Sequence, residues 1–452
     1  MTAPLGFDVV DADQHYYETD DCFTRYMPEK FIRERRALEV VRRPGDERSR
    51  LFIGDEKVAF FGANPCENTG RPGALLEYFE TGGGTGNALF HGGMISADEL
   101  PASRSKASRI ELLDEMAVEA TLLFPTIGVG VEYQLSKDRE AYLASLNAFN
   151  RWLDDDWGYG AEGRLIGVPL LTLTDIDWAV NELERVIALG ARMVHLKAGP
   201  VDGRSPADPS HDPFWARCEE AGIPVAFHLG NSGEAEYYSA MWGENPNPPN
   251  HRYSPFQRVT SFGERSIHDT LLALVTHNLF GRFPRLKVLS VEFGSEWVEP
   301  LLKKMDRSAR MCGPNDWPFG AVTERPREIF KRHISISPYP EDNVVALARL
   351  IGEDAVIAGS DWPHPEGVIA PTSLAAPLVA DLSPIAVRKS CATTRPDSSV
   401  SPSHPHDAAA YCRRRDCRRH RRRDDGCRHR TDDGGKPARG QRLHRRDRRC
   451  PG

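Results

Sequence analysis

Through Leu382 the chain alternates short runs of apolar and β-branched residues with longer stretches whose apolar positions recur at helical spacing. Eight runs predict strands: Asp8–Asp11, Thr121–Pro125, Leu165–Leu171, Met193–Leu196, Pro224–His228, Leu286–Val291, Ile334–Ser337 and Val356–Ala358. Between them, Ser108–Val118, Arg139–Asp156, Ile176–Leu189, Pro213–Glu220, Ser266–Leu279 and Asn343–Ile351 predict amphipathic helices. Strand and helix in alternation give a parallel sheet, because each parallel pairing needs a crossover connection. Eight such units predict an α/β fold of the (β/α)8 TIM-barrel type, with residues 1–389 forming one catalytic domain.

Two intervals break the alternation. Between Thr19 and Leu100, "ALEVVRR" and "RLFIGDEKVAFF" predict a β-hairpin and "TGGGTGNALF" a loop, so residues 19–100 read as an insertion after the first strand, capping the barrel mouth. The stretch "WGENPNPPNHRYSPFQRV", Trp242 to Val259, is too rich in Pro and Asn for regular structure and is expected to shape specificity. From Ser390 the periodicity vanishes into text such as "CRRRDCRRHRRRDDGCRHR", which cannot bury a core, so 390–452 is expected to be a disordered basic tail.

Charge and cysteine content sharpen that division. The whole chain carries a formal −7, yet from Pro384 onward 18 Arg and 2 Lys face 8 Asp, an excess of +12, which leaves about −19 for the remainder. Five of the nine cysteines also fall in the last 62 residues. An Arg-rich arm of this kind reads either as a nucleic-acid-binding tail on an inactive barrel or as out-of-frame translation of a GC-rich gene; the unpaired cysteines and abrupt onset favour the frameshift. No stretch approaches the ~18 apolar residues of a membrane span. The first ten residues lack a secretory pattern, so a cytoplasmic enzyme without disulfides is expected.

Candidate chemistry gathers at the predicted strand ends. "VVDADQHYYE" puts Asp13 and His15 two apart, on one side of an extended backbone. "IPVAFHLGNSG" ends a strand in His228, and "AVIAGSDWPHPEG" ends another in Asp361. Four ligands from strands one, five and eight point to a divalent metal, which polarises a carbonyl or carboxylate and lowers the pKa of bound water; Asp361 is expected both to ligate and to accept a proton. Glu18, Glu292, Glu296 and His364 lie near the same ends, with Glu292 a catalytic candidate and Glu292 and Glu18 further candidate ligands. So oxygen-rich a set suits manganese or iron and admits two ions, though Glu18 and Glu296 read equally well as hydrogen-bond partners of the ligands. Lys197, His251, Trp362 and His364 are the candidate substrate contacts, Lys197 through an anionic group. His195 is expected to point toward the helices, and His268 and His277 to lie on a helix; Trp152, Trp157, Trp178 and Trp215 are expected to be packing residues.

The segments "VVDADQHYYE", "SRIELLDEMAVEATLLFPT", "DPFWARCEEAGIPVAFHLG", "FPRLKVLSVEFGSEWVEPLL" and "IAGSDWPHPEG", in this order, resemble the amidohydrolase-related family, which includes aminocarboxymuconate-semialdehyde decarboxylase and hydroxybenzoate decarboxylases. The resemblance spans residues 7 to 389 and implies the barrel, one zinc or manganese ion at Asp13, His15, His228 and Asp361, hydrolase or decarboxylase chemistry on a small organic acid, aromatic acids included, and a homodimer. The sixth strand of the decarboxylases usually ends in a catalytic His, where "SVEFGSEW" carries Glu292; this departure argues against ordinary decarboxylation. A smaller branch of the superfamily with a non-haem di-iron centre for oxygenation is the alternative it implies.

Overall fold

β1 (Val9–Tyr16) is buried along its whole length and outruns the four residues that the hydrophobic pattern predicts. In this computed structural model, which describes residues 9–61, 65–80, 93–249, 252–261 and 263–371, polar Asp13 and His15 stay in the strand through backbone pairing. The partner strand holds β1 in parallel from Val9↔Val118 to Tyr16↔Pro125, with a register slip between Asp11 and Gln14. Asp13 lies at that irregularity, where a strand re-aims a side chain.

The insertion after β1 forms the expected hairpin and more. β2 (Leu38–Val41), β3 (Arg50–Ile53) and β4 (Glu56–Lys57) make an antiparallel sheet, Leu38 opposite Ile53. β5 (Asn68–Gly70) pairs with β6 (Met94–Ser96), also antiparallel. This region touches the loop after the eighth predicted strand: Gly73 N donates to Gly367 O at 2.7 Å and Leu75 N to Pro365 O at 2.9 Å. A Cβ on Gly70 would stand 2.4 Å from Pro363 O, so only glycine lets the two backbones meet. The loop "TGGGTGNALF" lies outside the described residues.

The parallel strands form two sheets in a mixed α/β fold. One runs β1, β7 (Val118–Pro125), β8 (Leu165–Gly167). The other runs β9 (Leu170–Leu171), β10 (Val194–Leu196), β11 (Val225–His228), β12 (Val288–Val291), β13 (Ile334–Ile336). The single strand expected over Leu165–Leu171 is split at Val168-Pro169, where proline has no N–H for the ladder. The eighth run, Val356–Ala358, is not a strand; it makes isolated parallel bridges, Ile336↔Val356 and, further on, Gln14↔Trp362. Ala12 N still donates to Ala358 O and Asp361 N to Asp13 O, both at 2.8 Å.

Asp11 fastens the first run to the eighth. Its buried carboxylate accepts from Ser360 Oγ at 2.6 Å, Ser360 N at 2.9 Å and Gln14 Nε2 at 2.8 Å. Burial pushes its pKa up to about 6 against these hydrogen bonds. Gly359 is required alongside, since a Cβ there would approach Asp13 Cβ to 2.6 Å.

Amphipathic helices cover the parallel strands. Ile176–Ala188, for example, is capped by Asp175, which accepts from Trp178 N, and buries Ala179, Leu183 and Val186 at helical spacing. Trp242–Val259, expected to lack regular structure, contains a short helix, Pro255–Thr260, started by Pro255 and by a capping box between Ser254 and Gln257. Among the described residues no helix is long and apolar enough to cross a membrane. The basic tail, 390–452, lies outside them.

Candidate metal centre

Six side chains converge at the C-terminal ends of the parallel strands. Asp13 and His15 leave β1, His228 closes β11, Glu292 follows β12, and Asp361 and His364 follow the eighth run. His228 Nε2 lies 3.2 Å from Asp13 Oδ1 and 3.3 Å from Glu292 Oε2. His15 Nε2 lies 3.4 Å from Asp361 Oδ1, 3.5 Å from Asp13 Oδ1 and 3.8 Å from Glu292 Oε2. Two overlapping metal-binding groups result, Asp13–His15–His228–Glu292 and His15–Glu292–Asp361–His364, with donor atoms in each within 4.8 Å of one another.

Backbone geometry aims the carboxylates. Glu292 and Asp361 both take left-handed φ, 62° and 55°, which non-glycine residues adopt at a cost of ~1–3 kcal/mol. Each turn carries its side chain out of the strand line and into the centre. Tyr339 holds one of them by donating from its hydroxyl to Glu292 O at 2.9 Å.

Hydrogen bonds set the imidazole tautomers. Backbone carbonyls only accept, so His15 Nδ1, 3.2 Å from Pro125 O, and His228 Nδ1, 2.8 Å from Leu229 O, each carry a proton. Burial and neighbouring histidines hold the His15 pKa well below its usual value despite Asp13, so its Nε2 is a bare lone pair directed at carboxylate oxygens. Thr126 gives its hydroxyl proton to Tyr16 O and therefore accepts from His364 Nε2 at 3.2 Å. Its other ring nitrogen, Nδ1, lies 2.8 Å from Asp361 Oδ1.

Lone pairs facing carboxylates at such distances need a cation or a proton between them. His15 Nε2 and both Asp361 oxygens are buried without a hydrogen-bond partner. In protein alone, burial and then the crowding of Asp361 and Asp13 push Glu292 well up, and burial, Glu366 and Asp13 do the same to Asp361. Burial would also raise Asp13, but His228 and His15 outweigh it and hold that carboxyl well below its ordinary range. The donor set therefore fits a divalent ion, whose charge would relieve the crowding; histidines orienting themselves through backbone carbonyls are a common feature of such ligands.

Residues 101–393 match the family model described as amidohydrolase. A solved amidohydrolase from Mycobacterium avium subsp. paratuberculosis is 36% identical, with 85% of this chain and 97% of that one covered at a TM-score of 0.76. This chain belongs to the amidohydrolase family.

Two solved decarboxylases share the amidohydrolase fold with it at low identity. The 5-carboxyvanillate decarboxylase of Novosphingobium aromaticivorans, whose structure holds manganese, is 15% identical over 86% of this chain and 94% of its own, with a TM-score of 0.53. The 2,6-dihydroxybenzoate decarboxylase of Rhizobium is 16% identical over 86% and 97%, with a TM-score of 0.53. No curated protein matches the chain.

The other predicted residues of this amidohydrolase take varied places. His364, expected as a substrate contact, stands among the metal-binding residues and stacks on His15, ring centroids 3.9 Å apart. Glu18 is in neither metal-binding group: its buried carboxylate accepts from Ile127 N at 2.8 Å and Gly128 N at 2.9 Å, capping the helix Gly128–Leu135. Burial pushes its pKa up to about 7. Glu296 is exposed, and His268 and His277 sit on and just after the helix Glu264–Thr276. Lys197 lines a cavity, and His251 lies outside the described residues. Trp362, expected as a substrate contact, is buried with the Arg109 guanidinium over its ring, and Trp152, Trp157 and Trp215 are fully buried while Trp178 is partly so.

His195 corrects the expected orientation. It is two residues from Lys197, hence on the same face of the strand, and it pairs with Ala226 of the inner apolar cluster. There its Nδ1 lies 3.2 Å from Glu132 Oε1.

Arg109 was not foreseen. This fully buried guanidinium donates to His15 O at 2.7 Å, Gln14 Oε1 at 3.1 Å and Ala102 O at 2.8 Å, and lies over the Trp362 ring at 4.3 Å. Burial pushes its pKa down to about 9. The only hint in the sequence is its place four residues before Leu113, on the buried face of the helix Lys106–Glu115.

Proposed function

We propose that this amidohydrolase uses a divalent metal at Asp13, His15, His228 and Asp361 to act on a small organic acid, aromatic acids included, as a carboxy-lyase or a hydrolase, with Glu292 moving the proton. The observation that carries this is His15 Nε2, a buried lone pair without a hydrogen-bond partner, 3.4 Å from Asp361 Oδ1, in a carboxylate whose two buried oxygens have no hydrogen-bond partner either. Oxygen-rich donors favour manganese over zinc, and manganese in the 5-carboxyvanillate decarboxylase supports that choice. When bound, the ion supplies Lewis acidity to the substrate's oxygen atoms.

The eight parallel runs are inferred to form one (β/α)8 barrel. Supporting this, Ala12, Leu122, Ile166, Ala226, Leu289 and Ile357, from six runs, pack into one inner cluster, and isolated bridges join the eighth run to both neighbours. The ligands then stand at the barrel end where active sites of this fold lie. A cytoplasmic homodimer acting on small molecules, without nucleic acid, completes the proposal.

In decarboxylation the bond from carbon to carboxylate breaks, the electron pair stays on carbon, Glu292 delivers the proton there, and CO2 leaves. In hydrolysis Glu292 instead takes a proton from attacking water and returns it to the leaving group. The test is to incubate manganese-loaded enzyme in D2O with carboxyl-13C hydroxybenzoates, and in H218O with the matching amides, esters and lactones. Labelled CO2 with deuterium at the vacated carbon supports the lyase; 18O in a product acid supports the hydrolase. Turnover of neither by metal-loaded protein overturns the proposal.

One observation favours a second reading, a di-iron oxygenase: two donor groups, which share His15 and Glu292, would together offer ligands for two ions. Two irons per chain after anaerobic purification would support it.

A further inference from the structure

The insertion after β1 grips the loop that carries two of the metal-binding residues. Asp361 and His364 stand on this loop, 360–368, which closes on itself through His364 N to Asp361 O at 2.9 Å, Gly367 N to His364 O at 3.0 Å and Val368 N to Ser360 O at 2.9 Å. On one side it is tied to β1, where Asp361 N donates to Asp13 O. From the insertion, Gly73 N donates to Gly367 O at 2.7 Å and Leu75 N to Pro365 O at 2.9 Å. Gly70, at the end of β5, packs on the same backbone: a Cβ there would stand 2.4 Å from Pro363 O and 3.0 Å from His364 Cα.

Tyr17 joins the insertion to the metal-binding residues directly. Its backbone is held by Ser103 O, which accepts from Tyr17 N at 2.9 Å, and its hydroxyl accepts from Gly70 N at 2.8 Å. Its ring meets that of His364 edge-on, centroids 5.9 Å apart, while His15 stacks on His364. A ligand set works only when held to within about 0.5 Å. The left-handed turn at Asp361 is costly, and such a turn persists only where its surroundings over-determine it. Here β1 and the insertion are those surroundings.

We propose that Gly70, Gly73, Leu75 and Tyr17 are positioning residues for the metal: the insertion clamps loop 360–368, so that metal binding and docking of residues 70–75 on that loop strengthen each other. This rests on the metal-centred reading above. The coupling is reciprocal by linkage: whatever factor the docked segment adds to metal affinity, bound metal adds to docking.

The test combines amide hydrogen exchange of full-length protein, metal-free and manganese-loaded, with manganese affinity from competition with a fluorescent chelator. In wild type, manganese is expected to slow exchange in residues 70–75 at least about fivefold more than in the hairpin, 38–53, of the same insertion. A folded Gly70→Ala is expected to bind manganese about 10–100-fold more weakly. Tyr17→Phe, which keeps the ring against His364 and removes only the acceptor for Gly70 N, should weaken it about 2–10-fold. Equal slowing in the two segments, or none, overturns the proposal, as does wild-type affinity in a folded Gly70→Ala, and either result leaves the metal centre standing. The exchange comparison needs no variant and decides even where Gly70→Ala does not fold. A wild type that takes up no manganese removes the metal reading itself, and the clamp with it.

Discussion

Glu292 Oε2 lies 3.3 Å from His228 Nε2, although the two side chains arrive from neighbouring strands and Glu292 must adopt a left-handed backbone to get there. A carboxylate so placed touches the metal site without being tied into the sheet, which suits a group that exchanges protons. Glu292→Gln is expected to retain the metal and lower turnover by roughly 10²–10⁴-fold. Metal content and kcat measured on the same preparation check this; unchanged turnover would remove Glu292 from the mechanism.

Glu18 caps a helix with a buried carboxylate, so its loss should be felt in stability and not in metal content. Glu18→Ala leaves the Ile127 and Gly128 amides without their acceptor and is expected to cost about 1–3 kcal/mol. Denaturant unfolding paired with elemental analysis decides: a folded variant that has lost its metal would make Glu18 a ligand.

Arg109 reaches the metal centre only through His15 O and Trp362. Arg109→Met is expected to weaken metal affinity by about 10–100-fold, as removal of groups that orient ligands does. Competition with a fluorescent chelator gives the affinity; thermal unfolding under saturating manganese shows whether the variant still folds. Retention of wild-type affinity would reduce Arg109 to a packing role.

Much of this was legible in the sequence, and the rest was hidden for identifiable reasons. Asp13, His15, His228, Glu292 and Asp361 could be found because each follows an apolar run, and the end of a parallel strand is fixed by that run. His364 could not be assigned to the metal-binding group in advance, because its approach depends on the turn after Asp361. Arg109 was hidden because two of its three hydrogen-bond acceptors are backbone carbonyls, which leave no trace in residue type, and the third, Gln14, is an uncharged side chain far away in sequence. His195 was misplaced by misjudging strand parity, an error the inner cluster corrects. The split at Pro169 and the helix at Pro255–Thr260 had local signals, a proline in a strand and a capping box, that the wider pattern masked.

Burial pushes Glu234 up to about 7 from an ordinary value of 4.5. The folded protein therefore keeps a proton that the unfolded chain releases, and stability falls as pH rises from about 4.5 to about 7, then levels off. Glu234→Gln should flatten that slope, a difference on the order of 3 kcal/mol across the window. Urea unfolding at several pH values provides the comparison; parallel curves for the two proteins would contradict it.

The central claim is that Asp13, His15, His228 and Asp361 hold a divalent metal. Elemental analysis of protein purified without chelators and protected from air tests it most directly, on wild type, His228→Ala and Glu292→Ala. The account predicts about one manganese or zinc per chain in wild type, kept in Glu292→Ala and lost in a folded His228→Ala. Metal-free wild type that takes up none on manganese addition, or a His228→Ala that keeps its ion, would contradict it.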